Sequence, residues 1–152
     1  TRRATDYAGP FEELHRWMPL VPQIKDVSPE ACAWIEAAPA VPREYCGPPR
    51  VITDLTPPNI IVSLDTGRLS GIIDCALGLG DPAENFANLV LCRGPSFLRR
   101  ALDAYELPVD AGLIDRAIFL GRTEAMAWLL GATKAGDPFG MLRVVGGAFD
   151  DG

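Results

Sequence analysis

"VITDLTPPNIIV", residues 51–62, sets one acid between two β-branched apolar runs, then adds two prolines and an asparagine. Pro57 and Pro58 fix their own φ angles and lack backbone donors, so regular strand pairing cannot run through them. Either this is a stiff loop holding Asp54 and Asn59 at a set separation, or it is an ordinary turn between two strands. Outward from it, residues 60–64 and 69–73 are apolar segments around Asp65-Thr66-Gly67-Arg68, a β-hairpin signature. Asp74 follows the second segment, and a glycine-containing loop, "CALGLG", follows Asp74. A hairpin returns its ends to one place, so Asp54, Asn59 and Asp74 are expected to converge.

Two oxygen donors beside a third carboxylate suit Mg²⁺, which takes one or two protein oxygens and completes its shell with water and phosphate. In this reading Asp74 supplies charge and Asn59 a neutral carbonyl. Asp54, set apart by Leu55-Thr56-Pro57-Pro58, is free to accept a proton from an attacking hydroxyl. Taken singly, each residue has a plain structural reading as a loop acid, a turn cap or a strand end. The combination D-L-x-P-x-N, hairpin, apolar-apolar-D is far more specific than any one of its parts.

The rest of the chain reads as mostly helical. Phe11, Leu14, Trp17 and Met18 recur at helical spacing in residues 5–19. Ser28-Pro29-Glu30 starts a second helix, carrying Cys32, Trp34 and Ile35 and ending before Pro39. Residues 39–50 form a proline-rich loop. Asp81-Pro82 pairs a capping acid with proline at the first helical position, so a helix runs from about 82 to 92, and residues 95–105 form another. Asp110 caps a longer helix through Ile114, Ala117, Ile118, Leu120, Met126 and Leu129, and residues 138–145 add a last turn or two. Trp34 and Trp128 read as packing residues. The expected architecture is α+β, one mostly helical domain over 1–152 with a single small hairpin in its middle. Strand and helix do not alternate as in a doubly wound sheet.

The 152 residues suit one core, and 48% hydrophobic with 22% charged residues is a globular balance. A net charge of −6 argues against a general nucleic-acid or anionic-membrane binder and is compatible with a cationic ligand. No apolar run approaches the ~18 residues needed to span a bilayer, and no signal-peptide pattern opens the chain. Cys32, Cys46, Cys75 and Cys92 lie far apart without a C-x-x-C, so reduced cytoplasmic thiols are expected. The first residue is Thr1, so the sequence reads as a processed product, a cloned piece or a fragment.

Residues 51–89 resemble the catalytic segment of aminoglycoside phosphotransferases and their choline-kinase-like relatives. The family pattern is roughly H-G-D-L-H-P-x-N, a hairpin, I-D-W, then G-D-P-x-x-D-L-A. The resemblance implies the C-terminal lobe of a protein-kinase-like fold, its catalytic loop and metal-binding hairpin at about 51–82. It implies Asp54 as catalytic base, Asn59 and Asp74 as Mg²⁺ ligands, ATP or GTP as phosphoryl donor, and a small-molecule hydroxyl as acceptor. Antibiotic resistance is the setting that the aminoglycoside name carries.

This sequence departs from the pattern at Ile52, Thr53 and Thr56, at Cys75 after the metal-binding acid, and at Asn85 in the helix after G-D-P. Phosphoryl transfer also needs a clamp on the phosphates. The chain has two lysines, Lys25 and Lys134, and neither stands in a glycine-rich strand pair. Gly78-x-Gly80 leads into Asp-Pro rather than a third glycine, so it is not a phosphate loop. The β-rich N-terminal lobe of the fold therefore reads as absent. The alternatives are a catalytically inactive binding or scaffold module derived from a kinase, or one half of a split enzyme. An exposed lobe face also allows a homodimer. His15 reads as a surface histidine without a nucleophile to serve, Asp150 and Asp151 as an acidic tail, and Arg99-Arg100 as too short for a nucleic-acid surface.

Overall fold

Ala83, Phe86, Ala87, Val90 and Leu91 recur at the spacing of one helix face, and all five are buried. In the computed structural model, which describes residues 5–6, 29, 33–34, 37, 44–45, 47–48, 50–52, 54–74, 78–135 and 148–149, they lie on α1 (Ala83–Asp103). This helix is broken at Gly94, whose φ of 78° and ψ of 170° fall in a region essentially reserved for glycine. Pro95 follows and starts the second arm. The Phe86 and Tyr105 rings meet edge to face, 5.1 Å between centroids. A straight helix would place residues so far apart in sequence about 28 Å from each other, so the arms fold back on one another. The two helices expected at 82–92 and 95–105 are these arms.

Asp110 starts α2 (Leu113–Ala135) by accepting the Gly112 N–H at 3.0 Å. One side of α2, with Leu113 and Ala117, packs on Ala83, Phe86, Val90 and Leu98 of α1. Gly121 sets how closely the helices approach. A Cβ there would lie 2.6 Å from the Ala87 carbonyl oxygen and 2.7 Å from Val90 Cβ. The other side of α2 buries Phe119 against Trp34 at 6.2 Å, and Trp34 meets Phe149 edge-on at 5.7 Å. Arg122 lies over both of these rings and donates to the Ala148 carbonyl. Trp34 thus packs as expected, while half-buried Trp128 donates its indole N–H to Glu124.

The strands form three two-stranded antiparallel sheets among the described residues, not a single hairpin. β1 (Thr5–Asp6) pairs with β2 (Glu44–Tyr45), and β3 (Arg50–Ile52) with β6 (Gly78–Gly80). β4 (Ile60–Val62) and β5 (Leu69–Ile72) make the expected hairpin, with a bulge between Ile61 and Val62. Three expectations are corrected here. Thr5–Asp6 is a strand rather than the start of a helix, the 39–50 loop contains β2 and the start of β3, and half of "CALGLG" is a strand. Each is a short segment whose pairing partner lies far away in sequence, so local propensity carries little signal. Pro29, Ala33 and Trp34 are helical as expected. Most of residues 5–19, together with His15, Lys25, residues 138–145, Asp150 and Asp151, lies outside the described residues. No described helix is long and apolar enough to cross a membrane.

An ion-pair cluster locks these elements together. Arg116, on the first turns of α2, is 3% exposed, and Asp81, just before α1, is fully buried. Arg116 Nε lies 2.6 Å and Nη2 3.1 Å from the two Asp81 carboxylate oxygens. Its Nη1 and Nη2 also donate to Asp110, at 2.7 and 2.9 Å. The guanidinium stands 4.8 Å from the centre of the Tyr45 ring. Asp81 also caps α1, accepting the Ala83 N–H at 2.9 Å, while Glu84 accepts the Asp81 N–H at 3.2 Å. That is a reciprocal capping box. Burial alone would lower the Arg116 pKa, but the bonds to Asp110 and Asp81 outweigh it and raise it. The Arg116 hydrogen bonds hold the Asp110 carboxyl below its usual range.

Arg116→Met leaves the buried Asp81 carboxylate without its cation and should destabilise the fold by about 3–5 kcal/mol. Asp110→Asn, at a half-exposed carboxylate, should cost about 1 kcal/mol or less. A depressed folded pKa contributes stability that is present above the unfolded carboxylate value of about 4 and declines as pH falls from there toward the depressed folded value. Urea melts at pH 7 and at pH 3 should therefore show a smaller Asp110→Asn deficit at the lower pH. An Arg116→Met midpoint equal to wild type would exclude the clamp as a determinant of stability.

Candidate active site

Thr56 precedes a proline and is extended, with φ −73° and ψ 152°, as steric contact with the proline ring requires. The chain then tightens into a 3₁₀ turn over Pro57–Asn59, with the Asn59 N–H bonded to the Thr56 carbonyl at 3.0 Å. Asp54 accepts the Thr56 N–H through Oδ1 at 3.3 Å, a side-chain turn that bends the loop. Asn59 is 8% exposed. Its Nδ2 donates to the Asp54 carbonyl at 3.1 Å and to Thr56 Oγ1 at 3.4 Å. With both amide hydrogens placed, the Asn59 side-chain oxygen is the group left to meet a cation. The opening stretch is a stiff loop, not a plain turn.

The hairpin brings Asp74 to this loop. The Ile73 N–H donates to the Asn59 carbonyl at 2.9 Å, which places Asp74 beside the end of the 3₁₀ turn. Asp74 is exposed and has φ of 52°, the only positive value at a non-glycine among the described residues. Aspartate tolerates this left-handed conformation better than most residues, and backbone strain of this kind clusters at ligand sites. Asn59 thus touches Asp54 through its side chain and Ile73, the residue before Asp74, through its backbone. By residue type, an amide oxygen and two carboxylates are the hard oxygen donors that Mg²⁺ prefers. No group of three or more His, Cys, Asp or Glu among the described residues forms a cage for a metal.

Sequence reasoning missed Asn88. It reaches Asp54 from α1, with Nδ2 3.5 Å from Oδ1. A polar residue on a helix reads as a solvated face until the packing of that helix is known. One turn further on, the Cys92 thiol is half-buried. Burial raises its pKa against the pull of Arg93, and the Asp54 carboxylate raises it further, so it is a neutral thiol at pH 7. With Thr56 and Asn88 both on Oδ1, the second Asp54 oxygen makes no bond among the described residues. On the hairpin next to this loop, Ile61, Val62, Leu69 and Ile73 are exposed and Leu64 is completely so. The side chains of Ile52 and Lys134, and all of Thr53 and Cys75, lie outside the description.

Asn59→Ala removes both loop contacts and should cost about 1–3 kcal/mol. Asp74→Asn should change stability by no more than about 0.5 kcal/mol, being exposed and able to hold the left-handed backbone. Asp74→Val should lose about 1–2 kcal/mol. Equal losses in urea for the two Asp74 variants would show that the carboxylate, not the backbone, maintains the turn.

A family model described as a phosphotransferase enzyme family matches residues 3–118. The match spans the loop, the hairpin and both partners of the buried Asp81–Arg116 pair. No curated protein and no solved structure gives a significant match.

Proposed function

We infer the reaction from the family: the chain belongs to the phosphotransferase enzyme family. The reaction is transfer of the γ-phosphoryl group of ATP or GTP to a hydroxyl of a small molecule. The observation that supports it is the placement of Asn59, which donates to Asp54 through its side chain and accepts the N–H of Ile73, the residue before Asp74, through its backbone. Asp54 is the proton acceptor. Thr56 and Asn88 hold one carboxylate oxygen, and the other takes the proton of the substrate hydroxyl as the hydroxyl oxygen bonds to the γ-phosphorus and the nucleoside diphosphate departs. Asn59 and Asp74 are the ligands for Mg²⁺, which when bound neutralises charge on the phosphates. The net charge of −6 suits a cationic acceptor, of which an aminoglycoside is one example and a choline-like molecule another.

The exposed apolar hairpin favours a second element over this face, either a further polypeptide lobe that grips the nucleotide or a second copy of the chain. A binding module without catalysis would share that surface, so activity separates the two readings. Phosphoryl transfer followed by ³¹P NMR against a panel of hydroxylated amines should be lost by about 10²–10⁴-fold in Asp54→Asn at an unchanged thermal midpoint. Asp74→Asn should lose turnover while keeping its stability, and added Mg²⁺ should restore part of it. Turnover by Asp54→Asn at the wild-type rate would remove Asp54 as the base. If the wild-type chain, alone and with added nucleotide-binding lobe, transfers no phosphate to any acceptor, the binding-module reading stands instead.

A further inference from the structure

A cavity of about 270 Å³ lies against the ion-pair cluster, lined among others by Tyr45, Pro48, Arg50, Pro82, Tyr105 and Asp110. It shares no residue with the Asp54, Asn59 and Asp74 site. Its walls are held in place by contacts already described and by two more. The Tyr45 hydroxyl donates to the Pro48 carbonyl at 3.0 Å, and Arg116 covers the same ring. Gly47 leaves room for that ring, since a Cβ at this position would overlap it. Tyr105 is fixed by its edge contact with Phe86, and the proline rings have little freedom of their own. Such a preformed, mostly apolar hollow lowers the ordering cost of binding.

The polar groups around it are unequal. Both Asp110 oxygens are engaged by Arg116, and one also accepts the Gly112 N–H. Arg116 is committed to two carboxylates. Arg50, at the start of β3, is half-buried and lines the cavity, and its side chain makes no hydrogen bond or ion pair among the described residues, which leaves its fork of donors open to a ligand as far as those residues go. The Tyr105 hydroxyl likewise has no partner there. Asp81 and Asp110 are matched by Arg50 and Arg116, and the third carboxylate of the cluster, Glu84, accepts the Asp81 N–H and does not line the cavity. The volume is just under the ~300–1,000 Å³ of drug-sized sites, which fits a single ring.

We propose that this cavity is a second ligand site, for a small planar molecule that carries one carboxylate or phosphate. The ring lies among Tyr45, Tyr105 and the prolines, and the anionic group meets the Arg50 fork, with Tyr105 as an additional donor. This site stands apart from the phosphotransfer reading and is tested without any turnover.

Saturation-transfer NMR on the full chain would use benzoate, phenyl phosphate, benzyl alcohol and benzamidine as probes. Benzoate and phenyl phosphate should bind in a saturable, salt-weakened manner, more tightly than benzyl alcohol, and benzamidine least. Arg50→Gln should weaken both anions by about tenfold or more and leave benzyl alcohol unchanged. Val109→Trp, at a half-exposed wall residue, should block all four probes while circular dichroism stays that of wild type. Failure of both anions to bind, a preference for benzamidine, or anion binding that survives both substitutions would each overturn the proposal. Anion binding lost in both variants supports one source, carboxylate or phosphate, according to which probe binds more tightly.

Discussion

Arg116 is the residue on which the described structure most depends. A guanidinium at 3% exposure is held by four hydrogen bonds to two carboxylates, one of them fully buried. A buried ion pair is a poor source of net stability, because desolvation cancels much of the attraction. Its effect is specificity of arrangement. Asp81 ends the β3–β6 ribbon and caps α1, Asp110 caps α2, and Tyr45 of β2 lies under the guanidinium. One side chain therefore fixes the ends of two helices and the direction of two strand pairs. A misplaced helix would leave a buried charge unpaired, and that penalty is steep enough to exclude the alternative.

The Asp54–Asn59 loop hangs from this frame. β3 enters the loop and β6 leaves the hairpin region, and these strands pair through Ile52 and Gly78, so loop and hairpin start and finish close to the clamp. Between those ends, the Asn59 side chain ties the loop to itself while its backbone ties it to β5. Rigidity here comes from prolines and polar bonds rather than from apolar packing, since the hairpin side chains face outward.

The loop was readable for physical reasons particular to its residues. Pro57 and Pro58 announce a rigid segment, Gly67 and its neighbours a hairpin, and Asp81-Pro82 and Asp110 helix starts, because each acts on its own backbone. Glu84, too, lies within one helical turn of the Asp81 N–H that it accepts. Asn88 was opaque for the opposite reason. Its contact with Asp54 crosses 34 positions of sequence, and asparagine on a helix says nothing of what lies opposite. Phe119 was missed as a core residue because both flanks of α2 are buried, which blurs the one-sided pattern that marks a surface helix.

Local stereochemistry thus determined, from the sequence by itself, the helix starts, the hairpin and the stiff Asp54–Asn59 loop, and the motif resemblance pointed to the phosphotransferase family that the chain belongs to. Only the tertiary structure decided that Gly78–Gly80 is a strand, that α1 doubles back at Gly94, and that Arg116 joins Asp81 to Asp110. The division follows from range. Proline, glycine and capping groups act within a few residues of themselves, whereas strand partners and buried ion pairs form between groups that only the packed chain brings together.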